Sequence, residues 1–145
     1  MVEPKRFKNV LVAVDDSELG QLALVNAIHQ AEEDGAKLTI VSFFEPSELN
    51  TFDALDKDKI QAAESKVEEN LKGFQKQALD AGVEDVQPIY AVGEPGEQLV
   101  KHIISEAHAD LVVMGAHSKP GVRAYFGSQS NYVANHADVT VMIVR

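Results

Sequence analysis

The stretch Val10-Leu-Val-Ala-Val14, followed at once by Asp15-Asp16-Ser17, decides the fold. Five consecutive apolar residues, three of them valine, suit a strand buried on both faces, and the acids end it. Ser17 or Asp16 can supply the side-chain oxygen that caps a following helix. Ala23, Leu24, Ala27, Ile28 and Ala31 then recur at helical spacing, and Gly35 closes that helix. A buried strand that runs into a one-faced helix is the opening of a βα unit.

The same alternation continues along the chain. Leu38 to Phe44 reads as a second buried strand, ended by Glu45-Pro46. A polar linker from Ser47 to about Lys57 precedes Ile60, Ala63, Val67, Leu71, Phe74 and Ala78, which step by three or four. That spacing predicts a long one-faced helix, stopped at Gly82. Val86 to Val92 reads as a third strand, and Pro88 inside it has no ladder donor, which places it at a sheet edge. Gly93-Glu-Pro-Gly-Glu97 is a turn into a helix with Pro95 near its first position and Leu99, Ile103 and Ala107 on one face. Leu111 to Met114 is a fourth strand, Gly115 to Phe126 a long loop, Ser128 to about His136 a short helix, and Val141 to Val144 the last strand. The order βα, βα, βα, βα, β demands right-handed crossovers and an α/β fold: a parallel five-stranded sheet with helices on both faces. No internal repeat or low-complexity tract divides the chain, so residues 1–145 read as one domain.

Length and charge narrow the function. At 145 residues, two domains would each be too small to bury a good core. The absence of cysteine excludes disulfides, thiol nucleophiles and Cys-ligated metal. No apolar run reaches the length of a membrane span, so the expectation is a cytoplasmic protein without a membrane partner. The net charge, 13 − 23 = −10, disfavours nucleic acid as a partner, because nucleic acid needs a basic footprint. Yet from Leu111 to Asn135 the only ionisable side chains besides His117 and the tyrosines are Lys119 and Arg123. An acid-free stretch in so acidic a chain suits a small anionic ligand.

Ligands of open α/β sheets bind beyond the carboxyl ends of the strands. That rule points to Asp15-Asp16-Ser17, Phe43-Phe44-Glu45, Ala91-Val92-Gly93 and the loop after Gly115. Gly115, Gly121 and Gly127 punctuate this loop, and Ser128 and Ser130 follow where the helix is expected to start. Free N–H groups at a helix start, together with its dipole, hold an anion without any catalytic residue. The loop is not a P-loop: Gly121-Val-Arg-Ala-Tyr-Phe-Gly127-Ser128 has one residue too many and lacks the phosphate lysine. No GxGxxG follows the first strand. A receiver domain would share the acidic pair Asp15-Asp16, but it needs an acceptor Asp after strand three, where Ala91-Val92-Gly93 stands, and a Lys after strand five.

These residues together resemble the universal stress protein family. The resemblance spans nearly the whole chain, through Val10-Leu-Val-Ala-Val-Asp15-Asp-Ser17, Val92-Gly-Glu-Pro95, Ala109-Asp-Leu-Val-Val-Met-Gly115, Gly127-Ser-Gln-Ser130 and Val141-Met-Ile-Val144. It implies a Rossmann-like open sheet of strand order 3-2-1-4-5, homodimers paired through the last strand and, in one subfamily, bound ATP, with magnesium able to accompany it. The ATP-binding pattern looks like G-x2-G-x9-G-[ST]. Gly115 and Gly127-Ser128 match it, whereas Ser118 stands at the second glycine and the loop is one residue short. Carried over position by position, the resemblance implies cofactor contact at Val14, Asp15, Ser17, Phe43, Gly115, His117, Ser118, Gly127, Ser128, Gln129 and Ser130. In it Asp15 takes the ribose, with Asp16 as the alternative, and Phe43 lies near the adenine.

No nucleophile–base–orienter set is legible, and His29, His102, His108 and His136 show no metal-ligand spacing. The expectation is therefore a non-enzymatic, nucleotide-binding homodimer that acts as a stress-response regulator or sensor. Two alternatives stay open: a member that binds no nucleotide and works by protein–protein contact, and a site for AMP or a cyclic nucleotide.

Overall fold

A computed structural model describes residues 1–116 and 123–145, with the backbone alone given for residue 48 and residues 123–128. Strands β1 (Asn9–Ala13), β2 (Lys37–Phe44), β3 (Val86–Val92), β4 (Leu111–Gly115) and β5 (Thr140–Val144) form one sheet. All four pairings are parallel, and the order is β3-β2-β1-β4-β5. The Rossmann-like topology expected from the sequence is the one observed.

Helix α1 (Glu18–Asp34) starts on Ser17, whose hydroxyl accepts from the Gly20 N–H at 3.0 Å. It ends at Gly35, which sits at φ 65°, where a side chain would be strained, while Ala36 N–H donates to Ala31 O at 2.8 Å. The segment read as a linker is partly ordered as a 3₁₀ turn (Pro46–Glu48) and a short helix α2 (Thr51–Ala54). Helix α3 (Lys57–Asp80) starts on Asp56 and closes through Gly82, with Val83 N–H reaching back to Ala78 O at 3.2 Å. Between β3 and β4 runs a continuous helical stretch: α4 (Pro95–Gln98), a π turn (Leu99–Ile103) and α5 (Ile104–Glu106). Pro95 occupies its first turn as the sequence predicts; the π turn has no signature in the residue pattern.

The core lies on the two faces of the sheet. On one face Val10, Val12 and Leu38 pack with Ala23, Leu24 and Ala27 of α1 and Leu71, Phe74 and Ala78 of α3. On the other, Leu11, Val41 and Val112 pack with Leu99, Ile103 and Val133. Alternating side chains of β1 thus enter opposite layers, which explains why its sequence is apolar without a break.

Both edges follow from backbone parity. Gly93 N–H donates to Phe44 O and Leu38 N–H to Asp85 O, so the odd-numbered residues of β3 bond β2. Pro88 belongs to the even set, and its missing donor falls on the open edge. At the other margin Ala116 N–H donates to Val144 O at 2.8 Å. The even residues of β5 therefore face β4, and Val141 and Ile143 turn their backbone groups outward.

One element departs from expectation. Helix α6 spans Arg123–His136, so it starts five residues before Ser128, and Gly127-Ser128 lie inside it instead of at its start. A glycine within a helix costs about 1 kcal/mol relative to alanine, which weakens a helix without forbidding it.

Candidate functional site

β1 delivers Val14 and Asp15 to the carboxyl end of the sheet, next to β4, where two crossovers leave in opposite directions. Val14 is 4% exposed and spends its backbone on the protein: its N–H donates to Val41 O at 3.0 Å, and its carbonyl accepts from the Ser42 hydroxyl at 2.8 Å. The chain then turns outward at Asp15. This carboxylate accepts from Ser17 N–H at 3.0 Å and from the Ser17 hydroxyl, while the Asp15 carbonyl accepts from Gln21 Nε2 at 2.8 Å. Ser17 is thus the cap of α1, and Asp15 braces the cap. Asp16 stands exposed beside it.

Two glycines set how closely α1 approaches the strand ends. A Cβ on Gly20 would sit 2.2 Å from Asp15 Oδ1 and 3.0 Å from Asp15 N. A Cβ on Gly115 would meet Leu19 Cβ at 3.1 Å and the Leu19 backbone at 3.2 Å. The first turn of α1 therefore lies against Asp15 at Gly20, where a side chain would overlap the carboxylate, and tightly against the end of β4 at Gly115.

An open cleft of about 590 Å³ lies over these residues, lined by Val14, Asp15, Ser17, Gly20, Phe43, Glu45, Pro95, Gly115 and Gln129 among others. Six of the residues implied by the resemblance meet here: Val14, Asp15, Ser17, Phe43, Gly115 and Gln129. Phe43 is half-buried and packs against the second core layer. Gln129 reaches from α6 to α4, its Oε1 accepting from Gly96 N–H at 2.7 Å. Gly96 permits that approach, since a Cβ there would lie 2.9 Å from Gln129 Oε1. Ser130 is buried below the cleft instead of lining it, and its hydroxyl donates to Ala116 O at 3.0 Å. His117, Ser118 and Lys119 lie outside the described residues, and at Gly127 and Ser128 only the backbone is described.

Glu45 lines the cleft, as its place at the end of β2 suggests, whereas Gly20 and Pro95 are lining residues that the sequence reading does not single out. The signal at Gly20 was a glycine in the first turn of a helix, where the backbone alone has no need of one. A second compartment opens on the α3 side. Elsewhere in the layer between β3 and α3, burial, and then the Glu64 and Glu68 carboxylates, hold the Tyr90 phenol above its ordinary pKa. No group of three or more His, Cys, Asp or Glu that could hold a metal occurs among the described residues, and none of their helices is long and apolar enough to cross a membrane.

Residues 6–145 match the sequence profile of the universal stress protein family. The chain belongs to this family. A universal stress protein of Staphylococcus haemolyticus is 33% identical over 140 residues, covering 96% of this chain and 85% of the relative. Among solved structures, universal stress protein UspA from Lactobacillus plantarum superposes with a TM-score of 0.84 at 23% identity, over 98% of this chain and 100% of its own. A universal stress protein in complex with cAMP superposes at 0.71 with 29% identity, covering 97% and 99%. One from Archaeoglobus fulgidus, in complex with dAMP, superposes at 0.67 with 23% identity, covering 97% and 100%.

Proposed function

We propose that this protein binds an adenine nucleotide, with ATP as the leading candidate, and acts as a homodimeric regulator or sensor in a stress response. One observation carries the reading: Asp15 lines an open cleft at the carboxyl ends of β1 and β4, with the first turn of α1 brought against it at Gly20. A carboxylate fixed in this way suits the hydroxyls of a ribose, because an ionised acceptor strengthens each hydrogen bond. The cAMP and dAMP complexes of structural neighbours support an adenine nucleotide as the ligand class.

The extent of the phosphate chain is a separate matter. With α6 starting at Arg123, Gly127-Ser128 lie one turn inside the helix, and their amides are not the open donors of a helix start. That observation favours a monophosphate such as AMP or a cyclic nucleotide as the second reading. We read the cleft as a binding site without dedicated chemistry, since its described lining residues include no histidine or lysine beside Asp15. The dimer reading rests on β5, whose outward Val141 and Ile143 leave a row of unpaired backbone groups beside apolar side chains. A second copy of the strand, related by a two-fold axis, would pair both edges at once.

Mass spectrometry of ligand released from purified, denatured protein, followed by calorimetry with ATP, AMP and cAMP, tests the reading. Micromolar-scale binding, about −8 kcal/mol, is expected for the favoured nucleotide. No heat and no thermal shift at millimolar concentrations of all three would leave the protein–protein module as the function.

A further inference from the structure

The cleft has a second compartment, of about 800 Å³ with open solvent included, between the end of β2 and helix α3. It joins the first through Val14, Asp15, Phe43 and Glu45. Phe43 and Phe44 from β2 and Val67 and Phe74 from α3 give it an apolar, largely aromatic part beside its polar groups. A flat base finds its apolar faces here, while the glycine-lined first compartment runs past Gly115 toward α6 and suits the phosphate end. The polar groups of this compartment are the carboxylates of Asp15, Asp16 and Glu45 at the strand ends, and Ser42, Lys66 and Asn70. The Ser42 hydroxyl is spent on Val14 O, and Lys66 is exposed at the rim. Asn70 is half-buried, three residues after Val67 and four before Phe74, on the same side of α3. Its carboxamide makes no hydrogen bond among the described residues. An asparagine gains nothing for a helix interior and leaves both a donor and an acceptor to be satisfied.

Resting on the nucleotide-binding reading, we infer that the Asn70 carboxamide reads the amino edge of the base. Its carbonyl accepts from the exocyclic amine, and its NH₂ group is available to the adjacent ring nitrogen, the pairing by which asparagine recognises adenine elsewhere. Asn70 is then the side chain that makes the site prefer an aminopurine. This is a role for a residue on α3, outside every motif that carried the family resemblance.

The test is a comparison of ATP with purine riboside triphosphate, which has hydrogen in place of the 6-amino group, on the full chain by calorimetry. The wild type is expected to prefer ATP by about tenfold, the worth of one good hydrogen bond. In Asn70→Ala that preference falls at least several-fold, because ATP loses the bond from its amine, which the analogue never makes, while any bond to the ring nitrogen is lost by both. Asn70→Asp keeps the shape and an acceptor, and it retains the preference. The ratio is read within each variant, so a general loosening of the fold lowers both affinities alike and does not mimic the effect. An unchanged ratio in Asn70→Ala, a ratio lost in Asn70→Asp as well, or equal binding of both nucleotides by the wild type overturns the inference while nucleotide binding stands. A wild type that binds neither nucleotide removes the underlying reading, and the inference falls with it.

Discussion

Replacing Gly20 by alanine moves the Asp15 carboxylate without deleting it, and so isolates what its position does. The new Cβ would lie 2.2 Å from Asp15 Oδ1, with the Asp15 N and O atoms at 3.0 and 3.1 Å. Ordinary contact between carbon and oxygen needs the carboxylate to withdraw by about 1 Å or more. The backbone contacts are tight enough that α1 cannot simply shift toward Asp15 to compensate. On withdrawing, the carboxylate gives up its bonds from Ser17 N–H and the Ser17 hydroxyl. Each bond contributes about 0.5–1.5 kcal/mol net, at the low end where solvent reaches it. Against that, alanine in place of glycine in a helix returns about 1 kcal/mol. The two nearly cancel, so the melting temperature should change by only a few degrees. Nucleotide affinity has no such offset. Losing a charged hydrogen bond costs about 1.5–3 kcal/mol, a weakening of roughly 10- to 150-fold. Calorimetry with the favoured nucleotide, beside a thermal melt, reads both quantities. Wild-type affinity at an unchanged melting temperature would refute the reasoning, because Asp15 would then not be the ligand group that this packing positions.

Asp15→Ala should weaken nucleotide binding by a similar amount, and the Asp15→Ala/Gly20→Ala double variant should bind no worse than the weaker single one, since both act through one carboxylate; additive losses would show that they act separately. Ile143→Pro removes an outward backbone donor of β5 and leaves the ladder to β4 intact, so sedimentation should turn a dimer into a folded monomer, and a wild type that is already monomeric at tens of micromolar would sink the dimer reading. Gly115→Ala presses β4 against the Leu19 backbone and should destabilise the fold by about 1–3 kcal/mol, seen as a lower urea midpoint; an unchanged midpoint would mean that α1 yields freely. Asp34 accepts from Phe7 N–H and from Gln30 Nε2, both at 2.9 Å, and the Phe7 bond first, then the Gln30 bond, lowers its pKa below the ordinary value. A depressed folded pKa means that its contribution is present above the unfolded value, near about 4, and is lost as pH falls through the folded value. Asp34→Asn should therefore flatten the acid limb of stability measured between about pH 5 and pH 2, and an unchanged slope would dismiss this contact as a contributor.

The sequence by itself determined what short-range chemistry dictates. The unbroken apolar run at Val10 marked a strand buried on both faces, the three- and four-residue spacing in α1 and α3 marked their inner faces, and Gly35 and Gly82 marked their ends. Pro88 located the sheet edge because a missing donor is a property of the residue alone. The strand ends pointed to the cleft, since any parallel sheet built from βα units gathers its loops there, and the family resemblance supplied the strand order.

Only the tertiary structure decided what depends on distant approach. That Gly20 is where α1 presses on Asp15, that Gly96 admits Gln129 from α6, and that Asn70 borders the cleft at all are facts about elements meeting, and no local pattern encodes them. The start of α6 shows the limit from the other side. The expected helix begins at Ser128, just after Gly127, yet a glycine costs a helix only about 1 kcal/mol, and the helix runs through Gly127 from Arg123. Local preference is worth about a kilocalorie per residue, whereas burying a single side chain in the core contributes about two, so where the two compete the packed structure prevails.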